Sequence, residues 1–450
     1  MLATAAFVGL LAGIQPIYGL GAAIGIAFAT LVMLNLQAGL CVFAVAAFLD
    51  VLPFGGPALT LTKGIGLILA LSWVAALATR PDTENDFLKD HPGFTYLLLA
   101  FLGWASASLL WAEDSAIALD TVTRYAFNII LFLIVYTAVR NRSAAVWLMA
   151  SFLLGALISA AYGILSPVSP SSVDDVSRLS GAGVESNELA ALLVAALVLA
   201  TAFAAGWRES PAIRVFAGMT IVFCLAGVIL SFSRGGLVAL GVALLATVVL
   251  GGRWRPYAAL LLVAIVTCAA GYVLYVATPE ERDRVTTVEG GTGRSDIWEV
   301  GWRMFEASPV VGIGAGNFPV SSIHYLLAPG ALTRDEFIVD EPKVAHNIYL
   351  EVAAELGVVG FVLFISILAF SLVSSMKAAR AFMRQGDERM ELIARAVTVA
   401  VIALLAADFF VSDQFSKQLW LLLALGPALL RIAQTSTASD GAPKRQETYA

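Results

Sequence analysis

Stretches of mainly apolar residues follow one another along almost the whole chain, at about 2–18, 20–36, 38–52, 63–79, 95–111, 122–139, 144–166, 187–206, 212–232, 236–251, 256–276, 356–376, 393–412 and 416–433. A helix that crosses a hydrocarbon core needs about 20 such residues, with a range of roughly 17–25. The succession therefore predicts an all-α polytopic membrane protein with about 12–14 transmembrane helices. The count is loosest at the start, where Gln15-Pro16 and Asn35-Leu36-Gln37 are the only punctuation between the first three stretches. Composition agrees: 59% of the 450 residues are apolar and 13% charged, against about 45–50% and 25% in soluble domains. A soluble enzyme is excluded, because so few charges cannot cover a globule of this size. The first apolar stretch has no basic residue before it, so it reads as a retained span and not as a cleaved signal.

Short cytoplasmic loops carry an excess of Lys and Arg. Under strict alternation Arg140 and Arg142, Arg208 and Arg214, Arg253 and Arg255, and the run from Lys377 to Arg389 fall on one side, which is then the cytoplasm. The expected organisation is an N-terminal bundle over 1–276, a large helical periplasmic loop over 277–355, C-terminal spans over 356–434 and a cytoplasmic polar tail over 435–450. The loop holds 6 basic and 13 acidic residues, a net −7, whereas the whole chain is −6. The acidity thus belongs to one segment. No clustered basic field exists for nucleic acid, which is excluded as a partner. Cys41, Cys224 and Cys268 lie in apolar runs, and His91, His324 and His346 lack metal-ligand spacing, so neither a disulfide framework nor a metal site is expected.

Three constellations carry possible chemistry. The first is Ser231-Phe232-Ser233-Arg234-Gly235-Gly236, at the junction of two spans. A fixed cation beside glycines that expose backbone amides suits a phosphate or diphosphate, although a snorkelling arginine that anchors a hairpin has the same sequence. The second is Gly293-Arg294-Ser295-Asp296-Ile297-Trp298, which opens a helix expected from Arg294 to Ala307 and ended by Pro309. A helix N-terminus offers free amides to an anion and Arg294 adds charge there; ordinary capping, with Arg294 in solvent, is the plainer alternative. Trp298, Trp302 and Phe305 recur at i, i+4 and i+7, which predicts an amphipathic helix on or near the membrane. Gly312-Ile-Gly-Ala-Gly316-Asn317 follows as a turn that needs glycine for positive φ and close approach.

The third constellation is His346-Asn347-Ile348-Tyr349-Leu350-Glu351, continued by Glu355-Leu356-Gly357. An imidazole titrates near pH 6.5, so it can take a proton from a hydroxyl at neutral pH; an isolated histidine is also often structural. Asn347 and Glu351 share a helix face, and His346 points about 100° away, so Glu351 is not automatically its partner. His91 and His324 have no comparable pattern and read as structural. Arg124, Arg178 and Asn187 are further substrate-binding candidates, as are Asn347 and Glu351.

In this order and on this topology, Ser233-Arg234-Gly235-Gly236, Gly293 through Trp298 with Gly312 through Asn317, and His346 through Gly357 resemble the O-antigen ligase and polymerase superfamily, which includes WaaL-like ligases and Wzy-like polymerases. The resemblance spans roughly 120–430. It implies a GT-C-type inner-membrane glycosyltransferase with its active site facing the periplasm. The implied donor is an undecaprenyl-diphosphate-linked glycan, and the implied ligase acceptor is a hydroxyl of lipid A-core. It further implies an inverting, metal-independent transfer without a cofactor. Arg234 and Arg294 would then hold the diphosphate and His346 would activate the acceptor. A polymerase acting on two lipid-linked glycans would use the same residues. A flippase is the rival from another class, disfavoured because charges gather at span ends and no inverted repeat is evident.

Overall fold

The computed structural model describes residues 2–49, 61–79, 87–165, 186–231, 233–271, 294–326 and 344–440. Among them all regular structure is helical. In chain order the helices are α1 (Leu2–Ile14), α2 (Pro16–Leu34), α3 (Leu36–Ala46), α4 (Leu61–Thr79), a single turn α5 (Phe87–Asp90), α6 (Pro92–Ala107), α7 (Ser115–Ala138), α8 (Arg142–Leu165) and α9 (Ser186–Gly206). They continue with α10 (Pro211–Leu230), α11 (Arg234–Leu250), α12 (Arg255–Gly271), α13 (Arg294–Ala307), α14 (Phe318–Leu326), α15 (Ile348–Arg384), α16 (Glu388–Ala407) and α17 (Lys417–Asp440).

Every predicted apolar stretch is helical over most of its described length, but not every helix is a full span. Seven are long and apolar enough to cross a membrane, and an eighth arises if α11 and the helix after it, bent by 116° at Gly251-Gly252, count as one broken span. The remaining predicted stretches fall on described helices that are shorter or less apolar than this criterion requires. At the N-terminus the breaks between them are local. Pro16 opens α2, where its missing N–H costs nothing, and Asn35 accepts from the Ala38 amide at 3.1 Å to cap α3. The apolar run is thereby cut into helices of 13, 19 and 11 residues, of which α2 alone reaches the length of a span. These lengths and compositions make the chain a multi-pass membrane protein.

The centre of the bundle is α9, α16 and α17, which pack on α10, α11 and α15. Alanine makes this possible. In α9, Ala190, Ala191, Ala195, Ala196 and Ala200 are all buried, and small side chains let helix backbones approach where no hydrophobic drive between helices exists. A Cβ on Gly236 would lie 2.7 Å from the Ala190 methyl. Gly236 therefore brings the start of α11 against the start of α9.

α15 is broken at Gly357 (φ 64°, ψ −172°). The interrupted ladder leaves backbone groups to be satisfied elsewhere. The Ala354 and Glu355 carbonyls accept from Ile313 and Gly314 at 3.0 and 2.9 Å, Val358 donates to Pro309 at 2.8 Å, and the Leu356 carbonyl accepts from the Trp104 indole at 2.9 Å. The turn 308–317 is therefore fastened to the break. As the sequence required, Gly312, Gly314 and Gly316 have φ of 72°, 109° and 70°. A Cβ on Gly312 would strike the Glu355 backbone, and one on Gly316 the Thr121 hydroxyl.

On α13 the face that packs inward is Ile297, Val300 and Met304, with Gly301 against Leu350 and Phe318. The aromatic stripe lies about 100° around the helix: Trp302 is 55% exposed, 5.6 Å from Phe305, and its indole donates to Glu306. Only Trp298 of that stripe makes tertiary bonds. The aliphatic stripe sits beside the aromatic one, so the helix is amphipathic as its periodicity predicted.

Candidate functional site

Ala345-His346-Asn347 forms a tight turn before α15, and its backbone is fixed on every side. Ala345 receives a hydrogen bond from the Trp298 indole on its carbonyl at 3.0 Å and donates its amide to Glu351 Oε2 at 3.2 Å. Asn347 Oδ1 accepts from the Tyr349 and Leu350 amides at 3.0 and 3.1 Å, the geometry of an N-cap. The Ile348 amide donates to the Asp408 carbonyl at 3.0 Å. Between these anchors His346 has φ of 48°, and it is the only non-glycine residue with positive φ among the described residues. Such a conformation persists only when its surroundings over-determine it. The imidazole is half-buried, at the edge of solvent.

Glu351 is the hub beneath this turn. It is buried, and its carboxylate also accepts from Gln414 Nε2 at 2.7 Å and from the Ser412 hydroxyl. The connection 408–416 between α16 and α17 is thereby tied to the same side chain as Ala345. Glu355, one turn on, is buried and accepts from the Phe318 amide at 3.2 Å. Both carboxylates look inward and hold backbone. Burial, with the nearby Glu188 charge, raises the Asp408 carboxyl well above the ordinary range and so favours its neutral form.

Arg234 stands at the first position of α11. Ser233 caps this helix by accepting from the Gly236 amide at 3.1 Å. Arg234 is exposed and forms no ion pair among the described residues. Its neighbour Gly235 lies against Phe410: a Cβ there would be 3.5 Å from that side chain. The Trp298 ring is 6.4 Å from Phe410 and 5.3 Å from Phe409, so an aromatic bridge runs from the start of α11 to the residue that holds Ala345. The Arg234 and His346 constellations thus meet at one end of the bundle, joined by the Trp298 of the second. Arg294 is the first residue of α13, the helix that supplies Trp298.

The other candidates scatter. Arg124 is exposed on α7 and paired with Asp120 at 2.7 Å, 5.6 Å above the Phe415 ring. Asn187 sits half-buried in the first turn of α9, next to Glu188. Arg178 lies outside the described residues. His324 contacts Glu113 at 2.8 Å, and His91 packs 5.7 Å from Tyr136 and 5.4 Å from Phe370, so both are engaged structurally.

Residues 219–365 match the family model described as O-antigen ligase. Over this stretch the chain is similar to the O-antigen ligase family. No curated protein matches the chain. The matched stretch contains Arg234, Arg294, His346, Asn347 and Glu351 and leaves Arg124, Arg178 and Asn187 outside. It runs from within α10 to the first turns of α15 beyond Gly357, and so holds all three constellations. Sequence reasoning did not assign roles to Trp298, Glu355 and the 408–416 connection. Trp298 was visible as part of a motif; its bond to Ala345, 47 residues away, was not.

Proposed function

We propose that this end of the bundle transfers a glycan from an undecaprenyl-diphosphate carrier to a hydroxyl of lipid A-core, the O-antigen ligase reaction, at the periplasmic face of the inner membrane. The observation that carries the reading is Arg234: an exposed guanidinium without a counter-charge among the described residues, linked through Phe410 and Trp298 to the turn that presents His346. In this reading His346 accepts the proton of the acceptor hydroxyl as its oxygen attacks the anomeric carbon from the face opposite the diphosphate. The bond from that carbon to the diphosphate oxygen breaks, the configuration inverts, and the departing charge is received by Arg234 and Arg294. Diphosphate leaves without a separate acid. Glu351 and Trp298 are positioning residues that act through Ala345, and Asn347 caps the helix behind the base.

The test is reconstitution of the full-length protein in vesicles with labelled undecaprenyl-diphosphate glycan and two acceptors offered separately, lipid A-core and a second lipid-linked glycan. Label on lipid A-core is the expected result. Elongation of the lipid-linked glycan instead would make the protein a polymerase.

A further inference from the structure

A recess of about 600 Å³ opens between α4 and α7, bounded at one end by the start of α17. Lys63, Arg124 and Lys417 line that end, against a single carboxylate, Asp120, so the lining carries a net +2. From there the recess follows α7 to Ile134, and beyond the charged rim its walls are almost wholly apolar. The fifteen residues from Asp120 to Ile134 span about 21 Å of helix, two-thirds of a hydrocarbon core. A cationic rim on a long apolar trough matches one kind of ligand, an amphiphile with an anionic head.

The position of the recess says which lipid. The connection 408–416 meets the Arg234 helix through Phe410, holds the His346 turn through the Asp408 carbonyl, Ser412 and Gln414, and reaches the recess at Phe415. Arg234 and the recess therefore flank the His346 turn along one short stretch of chain. We propose that the recess seats a second lipid, phosphate-bearing, and that this lipid is the acceptor, with its phosphate at Lys63 and Lys417, beside the Arg124–Asp120 pair, and its chain along α7. The acceptor role rests on the transfer reaction proposed above; the lipid-phosphate specificity does not.

Two variants separate head from tail. Lys63→Glu with Lys417→Glu reverses the rim. Gly64→Leu plugs the trough: a Cβ on Gly64 meets nothing within 4 Å, so the added side chain enters empty space. Native mass spectrometry of the full-length protein compares phosphatidic acid with phosphatidylcholine of the same chains. The wild type is expected to retain phosphatidic acid preferentially, the charge-reversed variant to lose the preference by about fivefold or more per cation, and Gly64→Leu to bind neither lipid well. In vesicles, the milder Lys63→Gln with Lys417→Gln should raise the acceptor KM about tenfold and leave the donor KM within about twofold. A preference for phosphatidic acid that survives both variants overturns the groove. An unchanged acceptor KM overturns the acceptor role. Absence of transfer by the wild type refutes the reaction itself and leaves the binding result to stand alone.

Discussion

The two ends of the bundle are both rich in arginine, yet they use it differently. At the end where α9 finishes and α16 begins, Arg253 meets Glu388 at 2.8 Å, Arg142 meets Asp387 at 2.7 Å, and Arg389 is paired with Glu209 and lies 5.5 Å over the Trp207 ring. A recess of about 670 Å³ opens there, comparable in size to the one lined by Lys63, Arg124 and Lys417. At the His346 end Arg234 has no such partner among the described residues. Neither the size of a cavity nor the number of its cations separates the two ends, since each recess is lined by three cations. What separates them is whether the charge is already satisfied, because a guanidinium bound to a carboxylate must lose that bond before it can receive a phosphate.

His346→Ala should have the largest effect, a fall in kcat of about 10²–10⁴-fold, the usual contribution of a general base, with unchanged amounts of protein in the membrane. Retention of the wild-type rate would remove His346 from the chemistry. Arg234→Ala should cost about 10²–10³-fold in kcat, whereas Arg389→Ala, at the other end, should stay within about twofold because exposed ion pairs contribute little. Equal losses would erase the distinction between the two ends. Trp298→Phe keeps the ring and removes the N–H that satisfies the buried Ala345 carbonyl. An unpaired buried acceptor costs about 1–3 kcal/mol, so the thermal midpoint should drop, and kcat should fall about tenfold through misplacement of His346 with KM little altered.

The smallest effect concerns pH. Hydrogen bonds from His324 and Ser321 hold the Glu113 carboxyl below its ordinary range. Its contribution to stability is thus full above the ordinary carboxylate pKa and lost as pH falls through the lowered one. The side chain is 44% exposed, so solvent screens the effect. Amide exchange over residues 318–326 should accelerate slightly on acidification in the wild type and show no such step in Glu113→Gln.

The helical content was legible because each element is written in a local pattern. Arg294–Ala307 was expected at the bounds observed, and 144–166 is seen as Arg142–Leu165. Three motifs pointed at one site because each combines a charge or an imidazole with glycines or a cap. What could not be read were relations between distant residues. Glu351 reaches Ser412 and Gln414 from more than sixty residues away, and nothing in the spacing marks that choice. The full-length apolar run from 393 to 412 hid the end of α16 at Ala407, where Asp408 closes the helix with its amide on the Leu404 carbonyl. Nor does apolarity report where a proline or an asparagine restarts a helix, as at Pro16 and Asn35.

The break at Gly357 has a mechanical consequence. The turn 308–317 bonds to the backbone on both sides of that glycine, and Asn317 and Ala315 bind Asp114 and Ser108 at the foot of α7. The turn is therefore a clasp between two bundle helices, and it cannot swing away as a lid without first undoing main-chain bonds to α15. Any shift of α15 along its axis would carry the base of α13, and with it Trp298, in the same direction. A displacement of α15 at the break would thus be passed to the turn 308–317 through main-chain bonds, with no hinge between.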